Sequence, residues 1–264
     1  MCTVVLLRRP GHAWPILLAA NRDEMSERPW EIPGRHWPDR PEVVAGLDRL
    51  GGGSWLGLND HGVVAAVLNR QGSLGPKEGK RSRGELVLEA LDHADATSAA
   101  QALSEIDPAA YRSFNLVVAD SHDAFWIASR RDDGNGRLEA QELPEGISMI
   151  TAYDRNDPAS ARIRAFLPRF EQAAAPDPDK GVAGWQDWTR LLASRLHDVS
   201  RGPGAGGDEE GGPASAMTVA AENGFGTVSS SLIAVPLPAL PPRRPVWLFA
   251  AGRPGEVAYR NMTL

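Results

Sequence analysis

The sequence is poor in cysteine: Cys2 is the only one among 264 residues. A single cysteine cannot form an internal disulfide or build a thiolate metal cluster, so both devices are excluded. Long apolar runs are also missing, and none approaches the roughly 20 residues that a membrane-spanning helix needs. The first residues imitate a signal peptide poorly, because a strand-like run precedes the basic pair Arg8-Arg9. We therefore expect a cytoplasmic protein without an integral membrane segment.

An excess of positive charge is absent too. The chain has 28 Lys and Arg residues against 34 Asp and Glu, which gives a formal net charge of −6. We therefore expect a small-molecule substrate or ligand and no nucleic-acid partner. The hydrophobic fraction of 42% and the charged fraction of 23% are typical of a globular protein. We predict one domain over residues 1–264 with a flexible, Gly-rich loop at about 201–215, and the oligomeric state stays open.

Apolar periodicity predicts an alternation of strands and helices. Residues 3–7 and 16–20 form a predicted hairpin, and the proline-rich segment 28–40 is expected to be an ordered loop over the sheet. Further strands are predicted at residues 54–58, 62–69, 114–119, 124–129, 138–143, 147–152, 228–235, 246–251 and 256–260, and amphipathic helices at 85–91, 98–106, 160–173 and 185–197. This order predicts two sheets packed face to face with helices outside.

Cys2 is chemically unusual because it directly follows Met1. If Met1 is removed, the residue carries both a thiol and a free α-amine. The unperturbed pKa of the amine, about 7.7–8.0, lies close to that of the thiol, about 8.5, so the amine can accept the thiol proton. One residue then supplies nucleophile and base for attack on an amide or thioester carbonyl. The alternative is that Cys2 is an inert, small apolar residue at the start of a strand.

The polar run Asn21-Arg22-Asp23-Glu24 ends the second predicted strand and should lie beside Cys2 across the hairpin. In an extended strand Asn21 and Asp23 share one face, and Arg22 and Glu24 share the other. We predict that Asp23 holds the α-amine of Cys2 and that Asn21 hydrogen-bonds near the thiol. The alternative is a charged turn that caps the strand with an Arg–carboxylate pair.

The same run resembles the signature of the NRDE family, whose eukaryotic members are called Transport and Golgi Organization 2. Motifs that carry the resemblance follow in order along the chain: AGLD at 45–48, GGSWLG at 52–57, residues 62–69, RGELV at 83–87, FNL at 114–116 and GFGT at 224–227. The family is in turn similar to the N-terminal nucleophile hydrolases. The resemblance therefore implies an α+β fold with a four-layer αββα sandwich, in which two mainly antiparallel sheets have helices outside.

Penicillin V acylases and bile salt hydrolases of that superfamily likewise begin Met-Cys and carry Asn-x-Asp at the end of the second strand. The resemblance implies that Cys2 is the nucleophile, that Asp23 orients its amine, and that Asn69 with Asn21 donates to the oxyanion. The implied supporting residues are Arg22 and Glu24. Asn69 has an alternative interpretation as a turn residue after a buried strand.

Three positions depart from these relatives. The hydrolases have an arginine before the Asn-x-Asp, where this chain has Ala20. Many NRDE proteins have Ser-Asn where this chain has Thr151-Ala152, and an arginine where it has Val228. The missing polar groups at Ala152 and Val228 leave the activity open and favour a second hypothesis, a non-catalytic ligand carrier on the same fold, for example for haem. The hydrolase hypothesis requires no cofactor.

The remaining candidate groups indicate no other chemistry. The six histidines form no His-Glu-x-x-His or comparable pattern, so no metal site is predicted. Residues 229–231, three serines, lack the Gly-x-Ser-x-Gly context of a serine nucleophile and are interpreted as polar strand positions. Residues 77–83 contain four basic side chains, which either bind an anionic substrate group or form a solvated loop.

The intact mass of the natively expressed protein tests the chemistry of Cys2. We expect a mass lower than that of the full sequence by one methionine residue, because a small second residue permits removal of Met1. A cysteine-reactive acyl probe added to the same sample should add its acyl mass. Retention of Met1 would exclude the mechanism, since the α-amine would then be held in a peptide bond.

Overall fold

The fold consists of two β-sheets with helices on their outer faces. The computed structural model describes residues 2–130, 138–196, 215–220, 223–238 and 242–264. The flexible loop predicted at 201–215 lies outside the described residues, apart from Ser215.

The elements follow the predicted alternation. The strands are β1 Thr3–Arg8, β2 Ile16–Met25, β3 Trp30–Gly34, β4 Val43–Asp48, β5 Leu56–Asn59, β6 Val64–Asn69, β7 Phe114–Ala119, β8 Ala124–Ser129, β9 Glu139–Glu142, β10 Gly146–Ile150, β11 Phe225–Val235, β12 Val246–Ala250 and β13 Arg260–Asn261. The α-helices are α1 Gly84–Leu91, α2 Ala96–Ser104, α3 Ala161–Gln172 and α4 Gln186–Leu192, and short 3₁₀ helices lie at Pro108–Ala110 and Pro178–Trp185.

The first sheet has six antiparallel strands in the order β10-β1-β2-β11-β12-β13. β1 and β2 form the predicted hairpin, with Thr3 paired to Asn21 and Arg8 paired to Ile16. β2 continues to Met25, which pairs with Phe225 of β11. The polar run after Ala20 is therefore part of an extended strand and not a charged turn.

The second sheet has seven strands in chain order, β3 to β9, and every neighbouring pair is antiparallel. Short connections join most of these strands, and β6 reaches β7 through α1 and α2. β6 ends at Asn69, which pairs with Phe114 at the start of β7.

Side chains of the first sheet alternate between two packing faces, as a pleated strand requires. Val4 and Leu6 belong to a core between the two sheets, whereas Val5 and Leu7 pack with Phe166 of α3 on the outer face. The second sheet alternates in the same way and packs its outer face on α1 and α2. These layers confirm the α+β fold with an αββα sandwich.

Three local predictions need correction. Residues 28–40 are not all loop, because Trp30–Gly34 forms β3; Pro33 is tolerated there since β3 is an edge strand. The helix predicted at 185–197 ends at Leu192. The strand predicted at 256–260 is the two-residue β13, which pairs with β12.

No helix in the described ranges has both the length and the apolar character needed to cross a bilayer. The longest described helix, α3, has 12 residues and carries polar side chains on its outer face.

A close backbone contact holds the start of α1 against the loop after β4. The Ser54 N–H donates to the Gly84 carbonyl at 3.0 Å, and a Cβ on Gly53 would lie 2.3 Å from the carbonyl carbon of Gly84. Backbone atoms cannot move aside as a flexible side chain can. Only glycine therefore fits at position 53.

We expect Gly53→Ala to lower the free energy of unfolding by about 1–3 kcal/mol, the usual effect of overpacking. Gly34→Ala is the matched control, because its Cβ would approach only the side chain of His36, at 3.2 Å. Urea unfolding followed by tryptophan fluorescence measures both variants. Equal stability of the two would contradict the packing argument.

Candidate active site

Cys2 lies at the start of β1 and faces the space between the sheets. Its side chain packs against the core between the sheets, and its Sγ donates to the Asp23 carbonyl oxygen at 3.5 Å. Burial raises the pKa of the Cys2 thiol; the Asp23 carboxylate acts in the same direction and the Arg22 guanidinium in the opposite one. In the chain that keeps Met1, the thiol therefore stays protonated at neutral pH.

Two spaces meet at Cys2. A cavity of about 20 Å³ lies between the sheets beside Ser229 and Ser231, and about one water molecule fits in it. A larger cleft of about 610 Å³ extends from Cys2 past Asn69 to the segment before α1. The thiol thus lies at the inner end of a cleft of the size that small-molecule sites have.

The Asp23 carboxylate is buried and is fixed by the side chains of Thr227 and Arg162. Its Oδ1 accepts from the Thr227 Oγ1 at 2.6 Å, and its Oδ2 accepts from the Arg162 Nη1 at 3.1 Å. The same Nη1 donates to the Thr3 Oγ1 at 2.7 Å. The side chains of Arg162 and Asp23 are 1% and 0% exposed, so this is a fully buried ion pair. It ties α3 to the strand that carries the candidate site.

The structure places Asn21 differently from the prediction. Asn21 is buried on the face turned towards the helices, whereas Cys2 packs between the sheets. Its Nδ2 donates to the carbonyl oxygens of Leu192 at 3.0 Å and Met217 at 2.8 Å, and its Oδ1 accepts from the Ser230 Oγ at 2.7 Å. Both amide protons are used in these bonds. Asn21 therefore anchors β2 and has no side-chain donor left for an oxyanion.

Arg22, not Asn21 or Asp23, shares the face of Cys2. Continuing the register beyond Thr3 and Asn21 places Cys2 directly opposite Arg22, and opposed residues of an antiparallel pair point to the same side. The Arg22 guanidinium lies 4.0 Å from the ring centre of Trp55, a cation–π distance. Its Nη1 is buried and has no hydrogen-bond partner among the described residues.

The charge of Arg22 is only loosely balanced. Its Nη2 lies 3.8 Å from Asp48 and 4.0 Å from Glu24, beyond ordinary hydrogen-bond length. Asp48 bonds more closely to Arg28, at 2.8 Å, and Glu24 accepts from the Met25 N–H at 2.8 Å. Burial lowers the pKa of the Arg22 guanidinium. The predicted supporting residue Glu24 thus lies at the edge of the site.

Asn69 lies at the end of β6 and lines the cleft that begins at Cys2. Its side chain is partly exposed and makes no hydrogen bond to a described residue. The amide is therefore available to a ligand. The structure thus places Cys2, Asp23 and Asn69 in the lining of one cleft.

Sequence reasoning missed several residues around the site. Arg162 comes from a helix 139 residues after Asp23, and no local pattern links the two. Thr227 lies in the GFGT motif, so the sequence motif could have indicated this residue as part of the site. Ser229 and Ser231, interpreted as plain strand positions, line the small cavity beside Cys2. A register shift in β11 falls between Thr227 and Ser229.

Nothing in the described part of the chain forms a metal site: no group of three or more His, Cys, Asp or Glu residues lies close enough to hold an ion. The described residues that line the cleft include no histidine, so Cys2 is the only cysteine or histidine there that could ligate haem iron.

The architecture is that of the N-terminal nucleophile hydrolases. An N-acylethanolamine-hydrolyzing acid amidase ortholog from Caenorhabditis elegans superposes with a TM-score of 0.57 over 90% of this chain and 94% of that chain, at 14% identity. Penicillin V acylase from Agrobacterium tumefaciens superposes with a TM-score of 0.53 over 95% of this chain and 83% of that chain, also at 14% identity. Likeness at this identity shows the shared fold.

The chain belongs to the Transport and Golgi organisation 2 family, whose profile matches residues 1–236. The Bos taurus homolog is 37% identical over 119 residues, which are 41% of this chain and 40% of that protein. The Homo sapiens homolog is 36% identical over 115 residues, with the same coverage. The match therefore spans about 40% of the length of these curated relatives.

We expect Arg162→Met to lower the free energy of unfolding by about 3–5 kcal/mol, because it leaves the buried Asp23 carboxylate without its cation. Arg190→Met is the matched control: the Arg190–Asp187 pair is exposed and contributes about 0–1 kcal/mol. Chemical denaturation of both variants measures the difference. Adding Asp23→Asn to Arg162→Met should restore part of the loss, and a further loss of similar size would contradict the ion-pair argument.

Proposed function

We propose that this protein is a cysteine N-terminal nucleophile hydrolase that cleaves a non-peptide amide, or a thioester, after removal of Met1. The observation that carries the proposal is the position of the Cys2 thiol, which lies at the inner end of a cleft and within hydrogen-bonding distance of the Asp23 backbone. The shared fold of the acid amidase and the penicillin V acylase supports the same reaction class.

The first step is nucleophilic attack by Cys2. The freed α-amine takes the thiol proton, the Sγ bonds to the substrate carbonyl carbon, and the carbonyl oxygen gains the negative charge. Removal of Met1 is required because it creates the base that accepts the proton of the thiol, whose pKa is raised by burial. The tetrahedral intermediate then collapses, the carbon–nitrogen bond breaks, and the amine returns the proton to the leaving group.

The second step is hydrolysis of the thioester that remains on Cys2. The α-amine takes a proton from water, the hydroxyl bonds to the acyl carbon, and the carbon–sulfur bond breaks as the thiol regains a proton. The cavity beside Ser229 and Ser231 has room for such a water molecule. The reaction thus needs no group beyond the enzyme, the substrate and water.

Asp23 is the group proposed to orient the amine. Its carboxylate lies near Cys2 and is fixed by Thr227 and Arg162. A fixed carboxylate can hold an ammonium or amine in one direction without reorganising during the reaction. The partners of Asp23 thus restrict its movement.

Two donors are proposed to stabilise the oxyanion. Asn69 lines the cleft with an amide that makes no hydrogen bond to a described residue, and Arg22 has a buried Nη1 with no partner among them. One donor of this kind contributes on the order of 2.7–4 kcal/mol to the transition state. Arg22 takes the place proposed for Asn21, whose amide protons are already bonded.

The hypothesis that the protein is a ligand carrier, for example for haem, stays a prediction. The cytoplasmic location also stays a prediction. Titration with haem, followed by the Soret band and compared between wild type and Cys2→Ala, tests the carrier. Tight binding without any reaction of acyl probes at the thiol would favour the carrier over the hydrolase.

The free N-terminus of Cys2 is the sharpest test of the hydrolase. We expect protein released with Cys2 as its first residue to form a thioester with an activated acyl probe, and an uncleaved N-terminal tag to abolish this reaction near neutral pH. The tagged protein is the matched control, because its fold and thiol are unchanged while its α-amine is missing.

Cys2→Ala in the released form should give no covalent adduct, and Cys2→Ser should abolish turnover with little loss of folding. Intact mass spectrometry reports the adduct, and circular dichroism reports the fold. Equal rates of acylation for the tagged and released proteins would exclude the α-amine as the base.

A further inference from the structure

The cleft that leads to Cys2 is strongly basic although the chain has a net charge of −6. Among the described residues that line it, seven are basic and three are acidic. The basic residues are Arg22, Arg28, Lys77, Lys80, Arg81, Arg83 and Arg112. A concentration of one sign of charge in a concave space raises the local concentration of ligands of the opposite sign.

The three carboxylates of the cleft already have cationic neighbours. Asp23 is bonded to Arg162 from outside the cleft, and Asp48 is bonded to Arg28 at 2.8 Å. Glu24 lies 3.7 Å from Arg28. Arg28 takes part in two of these pairs, and Arg81 is paired with Glu85 and Glu89, so neither adds to the positive field that a ligand would meet.

The basic residues on the far side of the cleft are held in place by backbone carbonyl groups. Arg83 donates through Nη1 to the carbonyl oxygens of Ser73 at 2.7 Å and Ser113 at 3.1 Å. Arg112 donates through Nη2 to the Gly72 carbonyl oxygen at 2.6 Å. These bonds fix the direction of both guanidinium groups along the wall of the cleft.

Two of the basic residues that line the cleft, Lys77 and Arg22, have side-chain donors without a described partner. Lys77 is exposed on the segment before α1, and its side chain makes no hydrogen bond or ion pair with a described residue. Arg22, next to Cys2, has a buried Nη1 that likewise lacks a partner among the described residues. A buried donor without a partner is destabilising unless a ligand satisfies it. The cleft therefore presents donors both at its inner end and at its rim.

We infer that the substrate of this cleft carries an anionic terminus, a carboxylate or a phosphate. Its reacting carbonyl lies at Cys2 beside Arg22, and its anionic end is bound by Arg83, Arg112 and Lys77. That this ligand is a substrate rests on the proposed function, but its binding to the cleft requires no catalysis. The solvated-loop alternative for residues 77–83 does not explain why Arg83 and Arg112 are fixed along the wall of the cleft that contains the nucleophile.

Calorimetric binding to the Cys2→Ala protein tests this inference with three ligands of equal length: pentananilide, glutaranilic acid and 4-phosphonobutananilide. They differ only in a terminal methyl, carboxylate or phosphonate. We expect at least one anionic ligand to bind about tenfold more tightly than pentananilide at low salt, a difference of about 1.4 kcal/mol. The preference should shrink as salt screens the charges. The tighter of the two anions identifies the preferred terminus.

Lys77→Gln in the same Cys2→Ala background should lower the anion preference several-fold, whereas Arg190→Gln, which removes an exposed cation on α4, should leave it unchanged. Equal affinity for all three ligands, including no binding of any, would overturn the inference. Turnover of uncharged amides by the wild-type protein is measured separately, so a failure of the proposed hydrolase activity and a failure of anion recognition give different results.

Discussion

The pairing register between β1 and β2 is the constraint on which the candidate site depends. Thr3 pairs with Asn21, so Cys2 lies opposite Arg22. A shift by one residue would turn Cys2 to the helix side and Arg22 away from Trp55, because side chains alternate along a strand. The register is secured by the apolar alternation of both strands, which buries Val4 and Leu18 between the sheets.

The two opposite faces of β2 have different roles. Asn21 and Asp23 face the helical layer and are bonded to groups from α3, α4, β11 and the segment that contains Met217. Arg22 faces the space between the sheets, packed on Trp55. The run of residues 21–24 therefore serves mainly to fix β2 in place. It also presents the Arg22 side chain to the cleft and holds the Asp23 carboxylate close to Cys2.

The buried Asp23–Arg162 pair connects β2 to helix α3 in the outer layer. Removing two charges from water is costly, and the cost is offset only when further hydrogen bonds satisfy the groups, as Thr3 and Thr227 do here. The same bonds limit the movement of the carboxylate. Arg162 brings a guanidinium to Asp23 from another element of the chain.

The sequence by itself determined the hairpin, most strands, the layer order and the approach of Cys2 to residues 21–24, because these follow from local alternation and short connections. It did not indicate β4, whose run of small residues has little alternation, or β3, whose proline is typical of loops. Only the tertiary structure decided which face of β2 meets Cys2, since a hairpin's register is set by packing on both sides. It also decided that Arg162, Arg83 and Arg112 meet the site, because residues far apart in sequence are brought together only by the packing of whole elements.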